Sequence, residues 1–370
     1  MIQRIFMVFL TSLLSFAAMS QPQKYRHYAD ETAATLQKWY NEETGLWETT
    51  SWWNAANALT ALIDYSRITG SDEYLYVIDN TFEKCKEFEV EMPNPEDNWI
   101  CRNFINDYYD DQGWWILAWI AAYDLRGEHR VLDMARVTFS DMAGGWDDVC
   151  GGGIYWKKPD IGKSAVQNEL FMLCALRLHH RGGGSTRGYT YLEWATRTWD
   201  WFKSTSMINA NYLVENGLDN NCRVNGLTYT YNQAMILSAL AEMSGELEDP
   251  DLLELAGKIA RSTIRHLVYE NGILKEPHEP DLNGDATQFK GIFMRHLAFL
   301  NTVAPQKGYQ DFILKNAESI WHEARNKSTG EIGTVWKGPF DQGDASRQSA
   351  ALDAFNAAMM VNRQTNLPCQ

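Results

Sequence analysis

Six stretches of this 370-residue chain are apolar almost all round, low in charge and rich in Ala, Leu, Met and Trp. They begin at Trp52 (WWNAANALTALI), Asp110 (DDQGWWILAWIAAY), Lys163 (KSAVQNELFMLCAL), Tyr229 (YTYNQAMILSALAEM), Phe289 (FKGIFMRHLAFL) and Arg347 (RQSAALDAFNAAMM). A helix without a polar side has to be buried on every side. Each is preceded by a stretch of helical period that keeps one polar face: 25–40, 72–89, 128–143, 187–204, 251–269 and 309–326. Such helices suit an outer layer, and strand-like alternation is scarce. Six outer and inner pairs in alternation predict an all-α fold, the (α/α)6 barrel. An open α-solenoid is the alternative, but solenoid repeats run to roughly 34 to 47 residues and need capping ends. Here the inner starts lie 53 to 66 residues apart. No composition shift or linker divides the chain, so residues 21–370 read as one domain.

Residues 1–20 stand apart. Arg4 precedes an apolar run from Ile5 to Met19, and Ala18 and Ser20 are placed like a cleavage site. The run is short of the roughly 20 residues a membrane span needs, so it reads as a secretory signal peptide. No later stretch is apolar enough to span, and the polar end 362–370 argues against a removable lipid-anchor tail. The expectation is a secreted protein, extracellular or cell-wall associated, with a monomer as the default. With 33 Lys and Arg against 48 Asp and Glu, the formal charge of −15 repels phosphate backbones, so nucleic acid is not an expected partner.

The loops into the inner helices carry the unusual residues. Because each inner helix is entered the same way, their N-termini are expected on one face, with positive dipole ends directed into it. Asp110 and Asp111 open the second inner helix. Two adjacent carboxylates repel, and in a partly dry cavity one keeps its proton near neutral pH, which supplies an ionised base or nucleophile beside a neutral acid. Acids at a helix start can equally well just cap it. The other openings hold Trp52, Trp53, Asn54 and Asn57, then Trp114, Tyr155, Trp156 and Lys157. Further along come Asn168, Glu169, Tyr229, Tyr231, Asn232, Gln233, Lys290 and Trp336. Aromatic faces beside amides and carboxylates suit a sugar, with its apolar ring faces and hydroxyl rim. For any one of these Trp residues, core packing is the competing assignment.

Other chemistries lack their signatures. There is no HExxH, GxSxG or GxxxxGK[ST] pattern, and Gly151 to Gly153 follow no strand. The run from Asp281 to Asp285 matches the start of a calcium loop, then has Ala286 and Ile292 where Gly and Glu are needed. Neither a metal nor a cofactor is expected.

Taken together, WWNAANAL, DDQGWW, CGGGIYWK, TYNQ at 230–233, FKGIFMR at 289–295 and the 336–340 loop resemble the glycoside hydrolase family 76 α-1,6-mannanases. The likeness runs over nearly the whole chain after residue 20. It implies an (α/α)6 fold and a retaining mechanism, with Asp110 as nucleophile and Asp111 as acid/base. Retaining glycosidases hold their carboxyls about 5 to 5.5 Å apart, which neighbouring residues reach easily. The implied substrate is α-1,6-mannan or a related mannose polysaccharide, cleaved at internal linkages. The helix openings supply the candidate substrate-binding residues: Trp53, Asn57, Trp114, Tyr155, Trp156, Asn168, Tyr231, Asn232, Gln233, Lys290 and Trp336. Two alternatives are a transglycosidase acting on mannan or GPI-glycan of cell-wall mannoproteins, and a non-catalytic glycan-binding protein.

All six cysteines lie beyond residue 20, without a CxxC pair, so disulfides are expected in an oxidising compartment. Cys85 and Cys101 flank the loop into the second inner helix, and Cys150 and Cys222 sit in the loops into the third and fourth. The expected bonds are Cys85–Cys101 and Cys150–Cys222. Cys174 lies mid-helix, where a buried thiol is as reasonable as a bridge. Asn326-Lys327-Ser328 is a glycosylation sequon.

Overall fold

All six apolar stretches form helices, and an amphipathic helix precedes each. In the computed structural model, which describes residues 21–90, 99–159, 162–282 and 284–364, these are α1 (Gln21–Leu36), α2 (Trp52–Thr69), α3 (Tyr76–Cys85), α4 (Tyr109–Arg126), α5 (His129–Met142), α6 (Ala165–His179), α7 (Tyr191–Ser204), α8 (Asn232–Glu246), α9 (Pro250–His266), α10 (Phe289–Val303), α11 (Lys307–Glu323) and α12 (Ala345–Gln364). The expected leader at 1–20, and Cys369, lie outside the described residues.

The even-numbered helices pack in a ring, α2 on α4, then α6, α8, α10 and α12, and α12 returns to α2. That closing contact distinguishes a barrel from a solenoid. The odd-numbered helices lie outside, α5 on α4, α7 on α6, α9 on α8, and both α1 and α11 on α12. Burial follows the sequence pattern. Every residue of α6 from Ala165 to Leu176 is buried, whereas α9 buries only one side, including Leu252, Ala256, Ile259, Ala260 and Thr263. Two seams of the ring need glycine. A Cβ on Gly113 of α4 would lie 2.8 Å from the Leu170 Cβ of α6, and one on Gly291 of α10 would lie 2.4 Å from the Ala350 Cα of α12.

Connections differ between the two ends. At the C-terminal ends of the inner helices they are short: α2 and α4 each stop at a left-handed glycine, Gly70 and Gly127. The connections into the inner helices are long and share one face with the helix N-termini.

Cys150 and Cys222 form a disulfide that joins the loops entering α6 and α8. The expected Cys85–Cys101 bond is not made; both are buried free thiols, as is Cys174. Backbone carbonyls satisfy each member of the pair. The Cys85 Sγ donates to the Thr44 and Gly45 carbonyls at 3.3 Å. Cys101 pairs with Phe88 across a hairpin, and its Sγ faces the Cys85 and Lys86 carbonyls at 3.7 Å. Burial pushes the Cys85 thiol up, and that of Cys101 to about 12, which favours the protonated forms. Asn326 lies in the turn after α11, where its Oδ1 accepts from the Ser328 N–H and hydroxyl.

Candidate active site

A cavity of about 800 Å³ opens on the face where the inner helices begin. Five of the six inner helices or their entering turns contribute: Trp53 from α2, Asp110, Asp111 and Trp114 from α4, Val166 from α6, Tyr231 at the cap of α8, and Phe289 from α10.

The loop before α6 builds one wall. Lys163 is buried, and its ammonium donates to the carbonyls of Val149 and Gly152 at 2.7 Å and of Gly153 at 3.1 Å, with Asp147 as counter-ion. Side chains on Gly152 or Gly153 would strike the Trp201 ring at 2.9 and 2.6 Å, and both have positive φ, so the glycine run is a packing requirement. Past this knot, the Trp156 N–H donates to the Gly162 carbonyl at 2.7 Å, and the Trp156 carbonyl accepts from the Tyr109 N–H at 2.9 Å. That pairing seats the indole over the start of α4. Its Nε1 donates to the Asp110 Oδ2 at 3.0 Å, while the Asp110 Oδ1 is buried with no hydrogen-bond partner.

Asp111 is held from the other side. The Asn106 Nδ2 donates to its Oδ2 at 2.7 Å. Burial raises both carboxyls, Asp110 to about 7 despite the Trp156 donor, and Asp111 well above the ordinary range with the charge of Asp110 added. The two titrate as a pair, so neither carboxyl gives up its proton independently of the other. A third carboxylate, Asp285, adds to both shifts. It accepts from the Trp53 Nε1 at 2.9 Å, and Trp53 stacks on Trp114 with ring centres 5.7 Å apart. Tyr231 lies against Phe289 at 3.8 Å. Below Val166, one turn along α6, Glu169 is fully buried with neither oxygen hydrogen-bonded, and burial pushes its carboxyl well above the ordinary carboxylate range.

Of the expected substrate-binding residues, Trp53, Trp114, Trp156 and Tyr231 line the cavity. The other seven lie behind it. Asn57 accepts from Arg295 at 2.9 Å. The Tyr155 hydroxyl donates to Asp147 at 2.8 Å. Asn168 clamps both backbone groups of Ile154, and Gln233 clamps those of Val214. Asn232 donates to the cavity residue Asn216 at 3.1 Å. Lys290 is buried on Glu279 and the Thr334 carbonyl, and its ammonium covers the buried Trp336 ring at 4.8 Å. The contacts of these seven are with loop backbone, a charged partner or a neighbouring side chain, and the Asn57 Nδ2 and Asn232 Oδ1 are buried without a hydrogen-bond partner. Sequence reasoning missed Ser51, Tyr108, Ser164, Asn216, Pro277, His278, Leu282 and Phe289 among the lining residues, and it weighed Asp281 and Asp285 for calcium.

The sequence profile described as glycosyl hydrolase family 76 matches residues 24–368. The chain belongs to glycosyl hydrolase family 76. Two mannan endo-1,6-alpha-mannosidases of Candida albicans are each 25% identical to it. The first match covers 69% of this chain and 59% of that protein, and the second covers 84% and 72%. The chain therefore spans less than two thirds of the first relative's length. Among solved structures it is similar to an α-1,6-mannanase of Salegentibacter sp., with TM-score 0.77 and 23% identity over 91% of this chain and 99% of that one. That structure is of an inactive variant, with two consecutive aspartates changed to asparagine, in complex with α-1,6-mannotriose. The likeness supports the (α/α)6 fold of this family 76 member.

Proposed function

We propose that the protein is a retaining glycoside hydrolase that cleaves internal α-1,6-mannosidic linkages of mannan. The observation that carries this reading is the Asp110–Asp111 pair, both members in one aromatic-walled cavity and each tied to a different donor. The Candida relatives, named for the endo-1,6 activity, supply the substrate class.

The resemblance to the family 76 mannanases divides the labour. Asp110, as the carboxylate, attacks the anomeric carbon. The bond from that carbon to the leaving sugar's oxygen breaks as the Asp110 ester forms, and the proton of Asp111 passes to the leaving oxygen. Water then bonds to the same carbon, gives its proton to Asp111 and frees Asp110. Two displacements at one carbon preserve the α configuration. Trp53, Trp114 and Trp156 offer apolar faces for the sugar rings. The expected leader and the Cys150–Cys222 bond support action outside the cytosol. Glycosylation at Asn326 belongs to the same reading.

Incubation with linear α-1,6-mannan tests the proposal. Short α-1,6-mannooligosaccharides should accumulate, with the α-anomer first by NMR. Asp110→Asn and Asp111→Asn should each lower turnover at least about a thousandfold with the fold intact. Turnover within about tenfold of wild type for either variant would return the pair to a capping role.

A further inference from the structure

We infer that Asn106 is the positioning residue of the acid/base, directing the proton of Asp111 to a single oxygen. This rests on the proposed retaining reaction and adds a residue to it.

Asn106 lies four residues before Asp110, in the turn entering α4, and is 3% exposed. Every polar atom of its side chain and its carbonyl is engaged. Its Oδ1 accepts from the Tyr108 N–H at 3.0 Å. Its main-chain carbonyl accepts from the Gln112 Nε2 at 2.9 Å and the Lys158 Nζ at 3.1 Å, and Lys158 is in turn paired with Asp141. Because an N–H can meet only the oxygen end of the amide, the Tyr108 contact fixes which end is which. The amide nitrogen is therefore the end that meets the Asp111 Oδ2 at 2.7 Å.

An amide N–H donates and cannot accept, so it pairs with the better acceptor of a protonated carboxyl, the carbonyl oxygen. In the protonated Asp111 that oxygen is Oδ2, and the proton sits on Oδ1. In the carboxylate formed by the first step, Oδ2 stays occupied and Oδ1 is left to take the proton from water. The same oxygen thus gives the proton and recovers it. Without Asn106 the proton distributes over both oxygens and the carboxyl loses its fixed plane. Trp156 stands in the equivalent relation to Asp110, so the two tethers separate two chemically identical neighbours.

Leaving-group dependence tests the assignment, because a residue acting through the acid matters little when the leaving group departs without a proton. The substrates are α-1,6-mannan and 2,4-dinitrophenyl α-mannobioside. Asn106→Ala should lower mannan turnover about a hundredfold, within the range ordinary for general acid–base catalysis. It should leave the pre-steady-state burst of dinitrophenolate within about fivefold of wild type, and azide should restore steady-state turnover of the aryl substrate. Asn106→Asp keeps the shape and the acceptor for Tyr108, so it should show the same pattern with less effect on folding. Asp111→Ala should reproduce the pattern in stronger form. Equal losses on mannan and in the burst for both Asn106 variants, beside a leaving-group-dependent Asp111→Ala, would overturn the inference and leave the reaction standing. An Asp111→Ala variant without leaving-group dependence would overturn both.

Discussion

At the scale of single residues, this molecule uses burial to set acidity. Asp110 has to be ionised to attack, so kcat/KM should rise with pH through its value of about 7, and it should fall again at higher pH as Asp111 gives up its proton. A pH profile on mannan should be bell-shaped. Asp285 raises both members through its charge, so Asp285→Asn should move both limbs to lower pH, and the Trp53 N–H still has an amide oxygen to meet. Glu169 makes a second case. Its folded carboxyl is held far above the unfolded value, so the native state keeps a proton that the unfolded chain releases from about pH 4.3 upward. Stability therefore falls with rising pH, by at most about 1.4 kcal/mol per unit for this one group, until the folded carboxyl itself ionises. Glu169→Gln should flatten the dependence of Tm on pH between 5 and 8, and a slope equal to wild type would mean that Glu169 is ionised in the folded protein.

At the scale of elements, the same buried amide device recurs at the loops. Asn168, Gln233, Asn316 and Gln348 each accept the N–H of one loop residue: Ile154, Val214, Leu274 and Ile332. Each of those residues forms a lone β-bridge with the chain just upstream, so the amide takes the place of a missing strand. This accounts for Asn168 and Gln233 standing at helix openings without reaching the cavity. A polar residue on an otherwise apolar helix looks the same in sequence whether it meets a sugar or a backbone. Helix seams give the element-scale prediction. Gly291→Ala should gain about 1 kcal/mol of helix propensity, but its Cβ would meet backbone atoms of α12 at 2.4 to 2.9 Å, which no rotamer change relieves. Overpacking of this kind costs about 1 to 3 kcal/mol, so a net loss is expected. Urea unfolding should show a lower midpoint, and because α10 carries Phe289, activity should fall before global unfolding.

At the scale of the molecule, closure of the ring by α12 on α2 brings both ends of the helical sequence to one seam, and the Cys150–Cys222 disulfide ties two mouth loops far apart in the chain. It closes a loop of 72 residues, for which the chain-entropy estimate is about 4 kcal/mol. Combining Cys150→Ser with Cys222→Ser should lower stability by up to that amount and weaken substrate binding, since the tethered loops carry Trp156 and Asn216. Peptide mapping without reduction should recover Cys150 linked to Cys222, with Cys85, Cys101 and Cys174 alkylated as thiols after denaturation.

Periodicity alone determined the helices. A stretch such as 165–176, with no polar side, can only be buried, and six of them alternating with one-sided partners leave few architectures open. The aspartate pair and four of its aromatic neighbours were legible too, because unusual residue types gather at helix starts that any closed ring places on one face. Tertiary structure decided the rest. Whether Cys85 bonds to Cys101 depends on the direction of each Sγ, and both turn to carbonyls instead. Whether Lys290 faces a sugar depends on Glu279, a buried counter-ion that the folded loop into α10 turns back onto it. Asn106, whose amide meets Asp111, carries no motif of its own, and its part depends on a turn geometry that only the folded loop supplies.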